Sequence, residues 1–348
     1  MSTIKTIKSW TIEESGKGPD AMKWNENAAL PELGDNDVLI KFHAASINYR
    51  DIAITLGSYP WPVKAHVVPG SDGAGEVVAT GPKVSQFKKG DKVVTLFNQG
   101  HLDGSLTQDS IKTGLGGSLD GTLRQAGVFP EHGLVSMPQS LNYLEASTLS
   151  CAALTAWNAL FGLKPLKAGE TVLTQGTGGV SLFAVQFAKA SGATVIATTS
   201  SAEKTAVLKK LGADHVINYK EIPEWGEKAK SLTPSGQGVN HIVEVGGPAT
   251  LAQSLKAIQI DGIISIIGFV GGDAKEQPSF LECLSSVCTV RGLLVGSKAM
   301  FEDMNACIEA NQIKPVIDKT VFKLQDLKKA FEHQRKQQHL GKVCLSID

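Results

Sequence analysis

The sequence predicts an α/β protein in two parts, a β-rich domain followed by a doubly wound parallel sheet. Three observations carry this. The chain has 348 residues, room for about two domains of roughly 150 residues each. Its first part carries short apolar runs broken by glycine, the pattern of strands and tight turns. From about residue 168 onward, short β-branched runs alternate with helical stretches, the pattern of parallel strands joined by crossover helices.

The composition sets the class. Hydrophobic residues make up 42% and charged residues 20%, ordinary for a soluble globular enzyme. Lys+Arg and Asp+Glu number 34 each, so no net field steers the chain to nucleic acid or an anionic membrane, and neither is expected as a partner. Cys151, Cys283, Cys288, Cys307 and Cys344 are odd in number and scattered, which suits reduced thiols in the cytoplasm. The stretch "MSTIKTIKSW" lacks the apolar run of a leader, "IISIIGFV" is too short to span a bilayer, and "LSID" matches no retention address.

Taken in order, "DVLIKFHAAS" places Val38, Ile40 and Phe42 on one face of a half-buried strand. "GAGEVVATG" and "GDKVVTLF" are short strands bounded by glycine. Residues 98–121 are rich in Gly, Ser, Asp and Thr and predict a long loop, either a solvated excursion or a functional segment. Strands follow near "TVLTQ", "TVIATT", "HVINY", "HIVEVG", "IISIIGF" and "TVRGLLV". Between them, "SLFAVQFAKA" is apolar nearly all round, as in a helix packed under a sheet. "AEKTAVLKKLG" carries Ala206, Leu208 and Leu211 and stops at Gly212. Pro248 opens "PATLAQSLKAI" where a missing N–H costs nothing. Helices at "AMFEDMNACIEAN" and "LQDLKKAFEHQRKQ" precede a last strand, "GKVCLSI", which can return to the first domain. The expected division is 1–145, 146–290 and 291–348, the last segment rejoining the first.

The motif with chemical content is "TVLTQGTGGVSLFAVQFAKA". Gly176 permits a tight turn, Gly178 lets the backbone approach a pyrophosphate, and the helix that follows offers free N–H groups and a positive dipole end to the phosphates. Ser181 stands where a third glycine is usual. About twenty residues on, an NAD site carries an acid for the ribose 2′-hydroxyl. Residues 197–201 contain none. Ser200, Ser201 and Lys204 offer donors and a positive charge instead, so the expected cofactor is NADP(H). Ser200 with Glu203 also reads as a helix capping box, and the two roles are compatible.

On "INYRDIAITLGSYP", "VPGSDGAGEVVATG", "FKKGDKVV", "LSCAALTAWNALF", "LGADHVINY", "VEVGGPATLAQSL" and "HLGKVCLSI", with the phosphate loop, the chain resembles the medium-chain dehydrogenase/reductase superfamily. The likeness is to its zinc-lacking branch, similar to quinone oxidoreductases and alcohol dehydrogenases. It implies a GroES-like catalytic domain, an inserted Rossmann domain, and homodimers or homotetramers. It also implies cofactor contacts: Asn48 and Thr155 near the nicotinamide and its ribose, and Gly176, Thr177, Gly178, Gly179 and Val180 around the pyrophosphate. Tyr219 would stack on adenine. Val245, Gly246, Gly268 and Phe269 would line the crossing of the sheet edge, and Leu294 and Val295 the nicotinamide.

Zinc-binding relatives hold catalytic zinc with two cysteines and a histidine. Here Asn48 and Ser71 stand for the first cysteine and the histidine, and only Cys151 persists. One thiolate with an amide and a hydroxyl is a poor zinc set, so no metal is expected. The eight histidines show no metal spacing, and His43 reads as structural. By the alignment Arg50 falls at the proton-relay position and Asp72 at the glutamate beside the histidine. Arg50, held by Asp51 or Asp72, is expected to stabilise a developing oxyanion, with Tyr49 or a water delivering the proton, since guanidinium is too weak an acid. A structural ion pair is the competing role for Arg50. The expected activity is NADPH-dependent, zinc-independent hydride transfer to a small carbonyl, quinone or activated C=C substrate. The alternatives are an NADPH-binding sensor or scaffold without turnover and, third, a zinc alcohol dehydrogenase.

Overall fold

The computed structural model describes residues 5–348. The stretch read for a leader begins at residues 1–4, which lie outside the described residues. Two units form. One runs to Leu154 and resumes at Gly296–Asp348, and the other is Thr155–Val295. The boundaries therefore fall at Leu154/Thr155 and Val295/Gly296, rather than after residues 145 and 290.

The first unit opens with an antiparallel hairpin, β1 (Thr6–Ile12) and β2 (Met22–Ala29). Next come β3 (Asp37–Ile47), α1 (Tyr49–Thr55), β4 (Asp72–Thr80), β5 (Lys92–Thr95), β6 (Ala126–Pro130), β7 (Leu134–Ser136) and α2 (Tyr143–Ala146). Val38, Ile40 and Phe42 of β3 are buried, as their alternation predicts. Leu39, on the other face, is also covered, by Ile7 and Ala126. Residues 98–121 are a solvated excursion only at 102–109, where all but Leu106 are exposed. Leu115 N–H bonds Phe97 O at 3.0 Å, Gln99 N–H bonds Thr113 O at 3.1 Å, and Leu115 joins the core beside Phe42, Ile54 and Phe129.

After a π-helical turn, Leu149–Ala153, the chain enters the second unit at the head of α3 (Leu154–Phe161). There β8 (Thr171–Gln175), α4 (Gly179–Ala190), β9 (Thr194–Thr199), α5 (Ala202–Lys210), β10 (His215–Asn218), α6 (Trp225–Ser231), β11 (Val239–Glu244), α7 (Pro248–Ala257), β12 (Ile258–Ile266), α8 (Phe280–Ser286) and β13 (Thr289–Gly292) follow. The six strands lie in the order β10-β9-β8-β11-β12-β13, each pair parallel. Leu173, Ile196, Ile217, Ile242 and Ile264 form its core. The order reverses direction between β8 and β11, the switch point where open parallel sheets bind ligands at their carboxyl edge.

The chain then returns to the first unit through α9 (Lys298–Asn311), β14 (Phe322–Lys323), α10 (Leu327–Arg335) and β15 (Val343–Ser346). β15 pairs antiparallel with β3, Val343 opposite Ile47, so the expected return of "GKVCLSI" is realised. The seven-stranded sheet runs β14-β15-β3-β4-β5-β7, with β6 pairing β3.

Candidate active site and dinucleotide site

In the first unit β3 ends and α1 begins at Asn48. The Asn48 N–H donates to Asp51 Oδ2 at 2.8 Å, which fixes the helix start. β4 opens opposite, at Ser71 and Asp72. Asp72 is fully buried and takes Ser71 Oγ on Oδ1 at 2.9 Å and Ser46 Oγ on Oδ2 at 2.9 Å. Lys342, at the start of the returning strand, is 3% exposed. Its Nζ donates to Ile47 O at 2.9 Å, to Asp72 Oδ2 at 3.1 Å and to Asn48 Oδ1. The Asn48 Nδ2 lies 3.4 Å from Ser71 Oγ.

Arg50 points elsewhere. Its Nε donates to Tyr59 OH at 3.2 Å, and Nη1 donates to Leu115 O at 2.9 Å and to Asp51 Oδ1 at 3.4 Å. Its guanidinium carbon sits 4.8 Å from the Tyr59 ring centre and 4.6 Å from that of Phe97. Asp51 thus partners Arg50, whereas Asp72 belongs to Lys342. Burial pushes the Asp51 carboxyl up to about 6, against the pull of Arg50 and of the Asn48 N–H. Tyr49, next in sequence, keeps 42% of its surface exposed. Cys151 sits on the π-helical turn, a distortion common near functional sites. Burial first, and then the Asp72 charge, pushes its thiol up to about 12.

These residues do not fit zinc. The two replaced positions offer an amide and a hydroxyl, and an ammonium already sits among the oxygens. Among the described residues no group of three or more His, Cys, Asp or Glu is arranged to hold a metal ion. His43 packs its ring 4.5 Å from that of Tyr143.

In the second unit the residues expected to meet a dinucleotide lie mostly at or just beyond the carboxyl ends of the strands. Gly176 follows β8 with φ of 74°, and its N–H bonds Thr198 O at 2.8 Å. Gly178 is the N-cap of α4. A Cβ added at Gly176 or Gly178 would meet nothing within 4 Å, so the loop backbone borders open space at the helix N-terminus. That space, with the dipole end beside it, suits a pyrophosphate. Ser181 turns its hydroxyl back to Gln175 O at 2.6 Å, which lets a residue larger than glycine pack against the strand end.

At the end of β9, Thr198 and Thr199 are buried, while Ser200, Ser201 and Lys204 retain surface. The N-cap of α5 is Ser201, not Ser200, and its side chain makes no capping bond, so the expected Ser200–Glu203 box does not define this helix start. Tyr219, one residue past β10, is 40% exposed. Thr155 is buried in the first turn of α3. Val245 and Gly246 follow β11, and Gly268 and Phe269 follow β12. Leu294 and Val295 follow β13, with Val295 at φ of 51°, a left-handed conformation costly for a β-branched residue.

Three residues that organise these regions escape a sequence reading. Lys342 is one. The other two are Gln175 and Glu244, which build the turn after β11. Glu244 Oε1 accepts from Gly246 N–H and Gly247 N–H at 2.9 Å and Thr250 Oγ1 at 2.5 Å. Its Oε2 accepts from Gln175 Nε2 at 2.6 Å and Ser254 Oγ at 2.5 Å. Gln175 Oε1 accepts the N–H groups of Val245 and Gly246. No local signal pointed to Lys342, which lies 270 residues from Asp72.

The chain matches two family models, an alcohol dehydrogenase GroES-like domain over residues 34–139 and a zinc-binding dehydrogenase over residues 179–310. It is 47% identical over 345 residues to a zinc-type alcohol dehydrogenase-like protein of Schizosaccharomyces pombe, covering 97% of this chain and 99% of that one. It is 27% identical to human quinone oxidoreductase, covering 94% of each. A crystal structure from Sinorhizobium meliloti 1021, provisionally described as an alcohol dehydrogenase, superposes with a TM-score of 0.90 at 39% identity. The match covers 99% of this chain and 100% of that one.

Proposed function

Because the chain belongs to the medium-chain dehydrogenase/reductase superfamily, and so is an oxidoreductase of the alcohol dehydrogenase and quinone oxidoreductase type, we propose that it is an NADPH-dependent, zinc-independent reductase. Its substrates are small carbonyl, quinone or activated C=C compounds. The observation that carries the cofactor choice is the end of β9, where residues 197–201 include Ser200 and Ser201 and no carboxylate, and Lys204, beside Glu203 in the first turn of α5, adds a cation. A 2′-phosphate finds donors and a cation there, and its charge meets no acid at the strand end. Zinc independence is supported by the donor set around Asn48, Ser71 and Cys151.

When bound, the reduced dinucleotide supplies a hydride. The loop Gly176–Val180 and the α4 N-terminus hold its pyrophosphate. Tyr219 offers a ring face to the adenine. Val245, Gly246, Gly268 and Phe269 border its passage along the sheet edge, and Leu294, Val295 and Thr155 flank the nicotinamide. In the catalytic unit, Asn48 and Tyr49 are the polar groups assigned to substrate, with Tyr49 or a water delivering the proton. Arg50 contributes fixed positive charge, with its Nε and Nη1 donors engaged by Tyr59, Leu115 and Asp51.

Fluorescence titration of both cofactors tests the first half. NADPH is expected to bind at least about tenfold more tightly than NADH, the weight of one charge-assisted hydrogen bond, and Lys204→Ala should remove most of that margin. Tighter NADH binding would end the proposal. NADPH oxidation against aldehydes, quinones and enones tests the second half, and firm NADPH binding with no turnover on any acceptor would favour a sensor or scaffold.

A further inference from the structure

We infer that Lys342 is the built-in cation of the catalytic unit, a positioning residue whose ammonium aims and polarises the Asn48 amide so that its N–H is the donor offered to the substrate oxygen. This rests on the reductase reading above.

The ammonium has three hydrogens and three acceptors, Ile47 O, Asp72 Oδ2 and Asn48 Oδ1, all oxygens. It is held like a small cation in an oxygen cage. Its position is built into the backbone. Gly341 has φ of 73°, and a Cβ there would meet Val316 O at 2.2 Å, so a glycine is required before the lysine. Lys342 N–H bonds Val316 O at 2.9 Å, and Asp318 N–H bonds Lys342 O at 2.8 Å. The chain thus delivers this one side chain inward from the first residues of the returning segment.

Two consequences follow for Asn48. With Oδ1 taken by the ammonium, the amide can only present Nδ2 on its other side, so the flip state is fixed. A cation on the amide oxygen also draws electron density from nitrogen and strengthens the N–H as a donor. The other candidates are committed. Ser71 O–H donates to Asp72 Oδ1 at 2.9 Å, and Ser46 O–H is shared between Asp72 and Ser147 O. The Asn48 Nδ2 has only a 3.4 Å contact to Ser71 Oγ, near the limit of a hydrogen bond. It is the least committed donor of the cluster. A dication placed among these oxygens would meet the ammonium, which gives the absence of zinc ligands a physical complement.

The competing role is neutralisation of Asp72 alone. Lys342→Met, Asp72→Asn and the double variant separate the two in the full-length protein, using NADPH with an ortho-quinone as the acceptor. Lys342→Met leaves a buried carboxylate unpaired and should lower Tm by about 10 °C. The double variant removes that charge and should recover Tm. It should not recover kcat, which is expected to stay about 10- to 100-fold below wild type with KM for NADPH within about twofold. Lys342→Arg should retain part of the rate. If kcat returns together with Tm in the double variant, the inference is overturned. Wild-type protein that reduces no acceptor would sink the reductase reading instead. In that case the side-chain amide resonance of Asn48, assigned through Asn48→Asp, still decides: it must shift in both Lys342→Met backgrounds, and an unmoved resonance overturns the inference.

Discussion

Asp51 carries a charge that burial makes costly. Its carboxyl, lifted by burial, titrates near 6 in the fold against 3.8 ordinarily. Below about pH 4 both folded and unfolded chains keep the proton, and between about 4 and 6 only the folded chain does. The stability this contributes is therefore complete at low pH and declines as pH rises through that window, by up to about 3 kcal/mol. Urea unfolding of wild type and Asp51→Asn at several pH values from 4 to 7 checks it. The variant should gain on wild type as pH rises, and parallel curves would refute the assignment. The thiols make a second prediction. Burial pushes both Cys151 and Cys344 up to about 12, so iodoacetamide at pH 8 should leave both unmodified in the native protein. Rapid labelling of Cys151 would mean its site is open and charged.

At the scale of elements, the phosphate loop was legible because strand, glycine and helix signals fall in one short segment. Gly176 turns, Gly178 caps, and Ser181 satisfies its hydroxyl on Gln175 O. The turn after β11 was less legible, since its organiser, Glu244, looks like one more strand residue. Its carboxylate accepts five donors, and Glu244→Gln would set an NH2 against some of them. We expect a loss of about 3 kcal/mol in stability and weaker NADPH binding, read by urea titration and cofactor fluorescence. The β1–β2 hairpin gave no signal. Its strands are joined by a long connection with a 3-10 turn at Gly18–Ala21 rather than a two-residue Gly turn, and the pairing is irregular between Ile7 and Ser9. The segment 98–121 was legible as a loop, but its partial burial was not. Its composition is that of a loop, yet Phe97 and Leu115 anchor it in the core and Leu115 O takes Arg50.

At the scale of the whole molecule, contacts between distant parts of the chain separate what sequence shows from what it hides. The resemblance matches Asn48, Ser71 and Cys151 to the zinc-ligand positions of relatives through their motifs. Lys342 could not be read in this way, because 270 residues separate it from Asp72 and only the pairing of β15 with β3 brings them together. The same topology predicts unequal fragments. Thr155–Val295 is continuous and carries its own sheet and core, so expressed alone it should fold and bind NADPH. Residues 1–154 alone lack β15 and should not fold, and circular dichroism with a cooperative melt distinguishes the two outcomes.

In the proposed reaction the hydride passes without help from a metal ion. The measurement that tests it most directly is the rate of NADPH oxidation by purified protein on a quinone acceptor, before and after exhaustive chelation, with zinc quantified in the same sample. An unchanged rate and well under about 0.1 zinc per chain are expected. Stoichiometric zinc, with a rate that falls on chelation and returns when zinc is added, would contradict metal-free transfer.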